Sequence, residues 1–109
     1  MTLLPCPYLG LPVELTDERR RHILLKHPDL LPEYIDYVAE TLAEPDEVRR
    51  DSRFPATRVF ARWCERVKGG KFVVVVVVSD PPPMERYWVV TAYIARKLTQ
   101  GVVEWKRAC

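Results

Sequence analysis

Six consecutive valines occupy residues 73–78 and follow Phe72. Branched side chains of this kind favour extended backbone, and a run without polar alternation is typical of a strand covered on both faces. Such a strand at the edge of a sheet would pair with other chains and aggregate. We therefore expect residues 72–78 to form a central strand that is covered, at least in part, on both sides.

A helix is predicted to begin after Thr16. This residue is a suitable N-cap, and Asp17 and Glu18 follow it in the first turn, where carboxylates interact favourably with the helix dipole. Pro28 disfavours helical geometry in the residue before it, so we expect the helix to end near His27.

A second helix is predicted to open with Pro32 in its first turn and to close before Pro45. Three apolar residues recur at helical spacing and predict its buried face: Ile35, Val38 and Leu42.

From residue 47 onward the pattern changes to strands. Strands are predicted at residues 47–51, 57–66, 72–78 and 85–94, with a weaker fifth at 102–105. The expected fold is α+β, with two N-terminal helices packed on one face of an antiparallel sheet of four strands, or five if the last segment pairs. The whole chain, 1–109, is expected to be a single domain with its core at about 13–100, and the tail at 95–109 is left unassigned.

Charge is distributed unevenly. Residues 1–48 contain 4 Lys and Arg against 10 Asp and Glu, a net charge of −6, whereas residues 49–109 contain 13 against 5, a net charge of +8. A basic half is typical of a protein that binds a polyanion. The alternative is that the acidic helices neutralise the basic sheet within one molecule.

The three cysteines, Cys6, Cys64 and Cys109, are odd in number and far apart, and no histidine is spaced to complete a zinc site with them. We interpret them as free thiols in a reducing compartment. No stretch has the length of a membrane span, so the expected protein is cytoplasmic and does not contact a membrane. The sequence also has no glycine-rich phosphate loop, no G-x-S-x-G motif and no acidic cluster suited to two-metal catalysis, so no metal or other cofactor is expected.

Side chains alternate between the two faces of a strand. We expect one face of the sheet to pack against the helices through two apolar sets, Val59, Ala61 and Trp63 on one strand and Trp88, Val90, Ala92 and Ile94 on another. The other face would then carry Arg58, Phe60, Arg62, Tyr87, Thr91 and Tyr93. Arginines bind phosphate oxygens and aromatic rings stack on unpaired bases, so this face is a candidate RNA surface. The alternative is an ordinary solvated face with aromatic cross-strand pairs.

Two histidines are candidates for proton transfer, because histidine changes its charge near neutral pH. His27 is predicted to lie at the end of the first helix and to lean toward the sheet, whereas His22 lies in the middle of the helix. The competing interpretations are a C-terminal cap for His27 and a surface or packing residue for His22.

Three motifs together resemble a known nuclease superfamily: HILLKHP at residues 22–28, LAEPD at 42–46 and VTAY at 90–93. With the arginine-bearing and valine-rich strands between them, they are similar to the phage-associated branch of the barnase, EndoU, colicin and RelE-like nucleases. The resemblance covers roughly residues 13–100. The resemblance implies the order already expected, two helices followed by a sheet. It also implies a metal-independent endoribonuclease, often a toxin that is inhibited by a partner (antitoxin) protein.

The resemblance also implies roles for individual residues. His27 would be the acid or base, Arg62 together with Arg58 would hold the phosphate, and Thr91 and Tyr93 would be positioning hydroxyls. Three further residues of the motif or the same sheet face are candidates for substrate binding: His22, Phe60 and Tyr87. The alternative is a non-catalytic RNA-binding or protein-binding module of the same fold, and a third option is a domain with no nucleic-acid role.

Overall fold

Two helices and seven strands make up residues 1–108, the part of the chain that the computed structural model describes. The elements are β1 Thr2–Leu4, β2 Val13–Leu15, α1 Asp17–Lys26, α2 Ile35–Ala43, β3 Glu47–Arg50, β4 Thr57–Cys64, β5 Lys71–Ser79, β6 Tyr87–Ala95 and β7 Val102–Lys106. Cys109, one of the predicted free thiols, lies outside the described residues. No helix within residues 1–108 combines the length and the apolar composition needed to cross a bilayer.

The valine-rich strand β5 occupies the middle of the sheet, whose strand order is β1-β2-β6-β5-β4-β3-β7. Val73, Val75 and Val77 belong to the main core cluster with both helices. Val74 and Val76 belong to a second buried cluster on the opposite face. The prediction of a central strand covered on both sides is therefore confirmed.

The predicted sheet of four or five antiparallel strands is wrong, although the α+β class and the two helices are found. Strands β3 to β6 form the expected antiparallel meander, and β7 pairs with β3. In addition, β2 pairs in parallel with β6, and β1 pairs antiparallel with β2, which makes a mixed sheet of seven strands. Each of these two N-terminal strands has only three residues, too few for an alternating pattern to reveal.

Helix α1 has the predicted boundaries. The Thr16 side chain accepts a hydrogen bond from the backbone N–H of Arg19 (3.2 Å), and His27 caps the other end by donating its backbone N–H to Ile23 (2.7 Å). Helix α2 begins at Ile35 rather than at Pro32. Residues 29–34 form turns instead, and this arrangement buries two leucines of the segment in the core: Leu30 and Leu31.

The face of the sheet that packs against the helices, called the helix side below, carries Phe60, Val73, Val75, Val77 and Val89. The opposite face, called the loop side, carries Val59, Ala61, Val74 and Val76. The prediction that Val59, Ala61 and Trp63 face the helices is therefore wrong. Phe60, the largest fully buried side chain, faces the helices instead. Arg58 and Arg62 lie on the same face, and their long side chains reach the edge of this face.

A β-bulge in β6 changes which side chains share a face. Thr91 pairs with Val76 but Val89 pairs with Val77, so one extra residue, Val90, is inserted between them. As a result Tyr87, Val89, Ala92 and Ile94 lie on the helix side, while Trp88, Thr91 and Tyr93 lie on the loop side. The predicted alternation holds only within each half of the strand.

Candidate functional site

Arg62 lies on the helix side, at the end of α2. Its guanidinium donates a hydrogen bond to the backbone carbonyl of Glu44 (2.7 Å), and Arg107 donates to the same carbonyl (2.9 Å). The last carbonyls of a helix have no partner within the helix and carry its negative partial charge. Arg62 therefore caps α2, which is a structural task that the sequence did not reveal.

Arg58 is held in a polar network on the same side. Its Nε donates to Glu104 (3.0 Å), and Glu104 also accepts hydrogen bonds from Arg50 (2.6 Å) and from the Tyr8 hydroxyl (2.6 Å). Burial raises the pKa of Glu104, but the hydrogen bonds from Tyr8, Arg58 and Arg50 outweigh it and lower the pKa below its ordinary value. Burial and the bond to Glu104 raise the pKa of Tyr8 to about 12. Arg58 and Arg50 thus share the single carboxylate of Glu104, which holds both side chains in place.

The two aromatic residues predicted to lie with these arginines are also on the helix side. Phe60 is fully buried and contacts the Tyr8 ring edge-to-face at 5.9 Å. Tyr87 packs against the main core cluster. The structure therefore separates Arg58, Phe60, Arg62 and Tyr87 from Thr91 and Tyr93, and the single RNA surface predicted from strand alternation does not form.

Internal ion pairs neutralise part of the charge asymmetry. Four pairs join a carboxylate of residues 1–48 to a cation of residues 49–109: Glu47 with Arg49, Glu44 with Arg62, Asp29 with Lys68, and Glu14 with Arg86. The alternative interpretation of the charge pattern, in which acidic and basic residues neutralise each other within one molecule, therefore applies to these four pairs.

His27 and Tyr93 are brought together. Their ring centroids are 5.9 Å apart and their planes are inclined by 39°. Because β2 pairs only with Tyr87 and Trp88, the remainder of β6 is an edge of the sheet, and α1 contacts β6 there. A histidine at the end of a helix can in this way contact a tyrosine that belongs to the loop side.

Two other predicted residues lie near this pair in sequence. Thr91 lies two residues before Tyr93 on the loop side and is half-buried. His22 is half-buried in the middle of α1. His27 follows the last helical residue, has non-helical backbone (φ −131°) and contacts the Tyr93 ring, whereas His22 lies within the helix, directly before the buried Ile23. His22 and His27 therefore have different surroundings.

A cavity of about 180 Å³ adjoins Tyr93 on the loop side. Its apolar lining comes from Val59, Ala95 and Leu98. The segment at residues 96–101 closes one side of the cavity and returns to the sheet at Gly101, which has φ +76°. A Cβ at that position would lie 2.6 Å from the carbonyl oxygen of Arg50, so the close approach requires glycine.

Polar groups of the cavity are connected to one another. The Tyr93 hydroxyl donates to Oε1 of Gln100 (3.3 Å), and Nε2 of Gln100 donates to Asp51 (3.2 Å). Burial raises the pKa of Tyr93, which keeps the hydroxyl protonated at neutral pH. Hydrogen bonds from the backbone N–H groups of Arg53 and Phe54, followed by the one from Gln100, lower the pKa of Asp51.

Two cations line the same cavity. Arg49 is paired with Glu47 at 2.9 Å, and its side chain is only 17% exposed. Lys97 forms no ion pair with any residue of the described chain. Lys97 is therefore the lining cation whose charge is available to a ligand.

Sequence reasoning did not identify the cavity or its residues Arg49, Lys97 and Gln100. These residues belong to β3 and to the segment after β6, and only the pairing of β7 with β3 brings the two together. The one local signal is the glycine that follows Gln100, which indicates a tight turn between two strands.

Within residues 1–108 no group of three or more histidine, cysteine, aspartate or glutamate side chains is arranged to hold a metal ion. Comparison with known proteins gives no match to any family model, to any curated protein or to any solved structure.

Proposed function

We propose that this chain is a metal-independent endoribonuclease whose reaction centre is formed by His27, at the end of α1, and Tyr93, on the loop side of the sheet. The observation that carries the proposal is the contact between these two side chains beside a cavity that contains Lys97. An imidazole can transfer protons, and a protonated phenol and a cation can stabilise the charge that develops on a phosphate during transfer within RNA. The resemblance of the motifs at residues 22–28 and 90–93 to the phage-associated nucleases also supports it.

The reaction would be attack of a ribose 2′-hydroxyl on the adjacent phosphorus. His27 takes the proton of the 2′-hydroxyl as the new O–P bond forms, and it returns that proton to the 5′-oxygen as the old P–O bond breaks. When RNA binds, the Tyr93 hydroxyl turns its single proton from Oε1 of Gln100 (3.3 Å) to a non-bridging oxygen, where negative charge accumulates. The Lys97 ammonium group donates to the same phosphate. The products are a 2′,3′-cyclic phosphate and a 5′-hydroxyl, and DNA is not cleaved because it has no 2′-hydroxyl.

A second candidate function is RNA binding without cleavage. It is favoured because Arg58 and Arg62 form hydrogen bonds within the fold. No arginine of β4 therefore binds the phosphate at the reaction centre. Salt-dependent affinity for RNA without strand breaks distinguishes this function from the first. Expression in bacteria also separates them, because an active ribonuclease is poorly tolerated without an inhibitor protein.

In this proposal the protein is cytoplasmic. Its partners are RNA and an inhibitor protein. Cys6 and Cys64 are buried free thiols, which agrees with a reducing compartment. Burial raises the pKa of both thiols and so keeps them protonated.

The test is incubation of the purified protein with single-stranded RNA in EDTA, followed by analysis of the fragment ends. We expect fragments with 2′,3′-cyclic phosphate ends, no cleavage of DNA of the same sequence, and loss of cleavage in His27→Ala by about 10²-fold to 10⁴-fold. His22→Ala is the matched control and is expected to retain most of the activity. RNA that stays intact with the wild-type protein while binding it would favour the second candidate function.

A further inference from the structure

The cavity beside Tyr93 has the size of one six-membered ring. Its volume is about 180 Å³, and an apolar cavity of about 150 Å³ is large enough to hold benzene. A purine has two fused rings and needs more space. The volume of the cavity therefore matches a single-ring base more closely than a double-ring one.

The lining suits a flat heteroaromatic ring. Val59, Ala95 and Leu98 offer apolar contacts, and Tyr93 adds an aromatic ring at the same place. Bases of single-stranded RNA are commonly bound in this way, with their faces against aromatic or apolar side chains and their edges against hydrogen-bonding groups.

Gln100 presents a fixed pair of hydrogen-bonding groups. The ionised Asp51 carboxylate can only accept, so the amide nitrogen of Gln100 must face it, and Oε1 must face the Tyr93 hydroxyl. One N–H and one lone pair of this carboxamide remain free. Uracil and cytosine both carry a donor and an acceptor side by side on one edge, so either base can pair with the free positions.

Lys97 adds a donor that selects for a carbonyl oxygen. It forms no ion pair with the described residues and lines the cavity together with Gln100. Both pyrimidine bases have a carbonyl at C2, whereas adenine has none.

We propose that this cavity is a base pocket that binds one pyrimidine of the RNA chain and so directs cleavage to pyrimidine positions. The inference rests on the proposed ribonuclease function, because Tyr93 is shared by the cavity and by the reaction centre. Because Tyr93 lines the cavity and also contacts His27, a base in the cavity would bring its own ribose and phosphate to the reaction centre.

The test is an NMR titration with uridine, cytidine and adenosine 3′-monophosphates, which measures binding independently of cleavage. We expect both pyrimidine nucleotides to bind roughly tenfold or more tightly than the adenosine one. Ala95→Leu fills the cavity and should weaken pyrimidine binding by roughly tenfold or more. Ala56→Leu, an equal enlargement at an exposed position before β4, should not change it.

A second variant protects the test against misfolding. If Ala95→Leu does not fold, Gln100→Ala, at an exposed residue, is expected to weaken the binding of both pyrimidine nucleotides. Equal binding of all three nucleotides, or unchanged pyrimidine binding in folded Ala95→Leu or Gln100→Ala, overturns the inference.

Mapping of the cleavage sites separates the two proposals. Pyrimidine binding without RNA cleavage would leave the base pocket in place and contradict the ribonuclease. Cleavage with no base preference would contradict the base pocket and leave the ribonuclease in place.

Discussion

The two sides of the sheet use similar residue types for different purposes. On the helix side, Arg58 donates a hydrogen bond to Glu104 and Arg62 donates one to the end of α2, beside the buried Phe60. On the loop side, Lys97 has no ion-pair partner among the described residues, and Tyr93 adjoins both a cavity and His27. A basic strand is thus not by itself a binding surface, because its arginines can already form hydrogen bonds within the fold.

The largest expected difference between the two sides is in stability. Phe60→Ala removes a fully buried ring from the helix side and should lower the free energy of unfolding by about 3–5 kcal/mol. Trp63→Ala on the loop side, where the residue is 43% exposed, should cost clearly less. Urea denaturation measures both values, and equal losses would show that the two sides are equally important to the core.

The next effect is a pH dependence confined to the helix side. The pKa of Glu104 is lowered in the folded state, so its contribution to stability is present above the ordinary pKa of about 4.5 and is lost as the pH falls through the lowered value. We expect the free energy of unfolding of the wild type to decrease between about pH 5 and pH 2 more than that of Glu104→Gln. If the free energy of unfolding depends on pH in the same way in both proteins, ionisation of Glu104 does not contribute to stability.

The smallest effect concerns a single cation on the loop side. Lys97→Ala should leave the melting temperature unchanged and should reduce the slope of log affinity for single-stranded RNA against log salt by about 0.7, the amount expected for one phosphate contact. Lys68→Ala is the matched control, because Lys68 is paired with Asp29. The reverse result, a smaller slope in Lys68→Ala only, would place the RNA elsewhere on the molecule.

The sequence predicted those parts of the fold that depend on strong local signals. The cap at Thr16, the end of α1 near His27 and the central position of the valine strand are all found. The faces of β4 could not be predicted, because Val59 and Ala61 are as apolar as a core-facing pair and are indeed buried, but on the loop side. Alternation along a strand establishes which residues share a face and leaves open which face meets the helices.

Two features of the candidate site depend on the tertiary structure. The bulge at Val90 reverses the alternation in the middle of β6 and moves Thr91 and Tyr93 away from Tyr87, and no residue pattern marks it. The cavity forms only because β7 returns to β3 and carries Gln100 beside Asp51. The contact of His27 with Tyr93 joins two residues that the motif resemblance had indicated separately.

The central claim is that the reaction centre belongs to the loop side and the end of α1, and that the β4 arginines are structural. The most direct measurement is the rate of RNA cleavage in EDTA by His27→Ala, Tyr93→Phe and Arg62→Ala, each compared with the wild type at a temperature where all four are folded. We expect cleavage to be lost in His27→Ala, strongly reduced in Tyr93→Phe, and retained in Arg62→Ala. Loss of cleavage in folded Arg62→Ala together with wild-type rates in His27→Ala and Tyr93→Phe would contradict the claim.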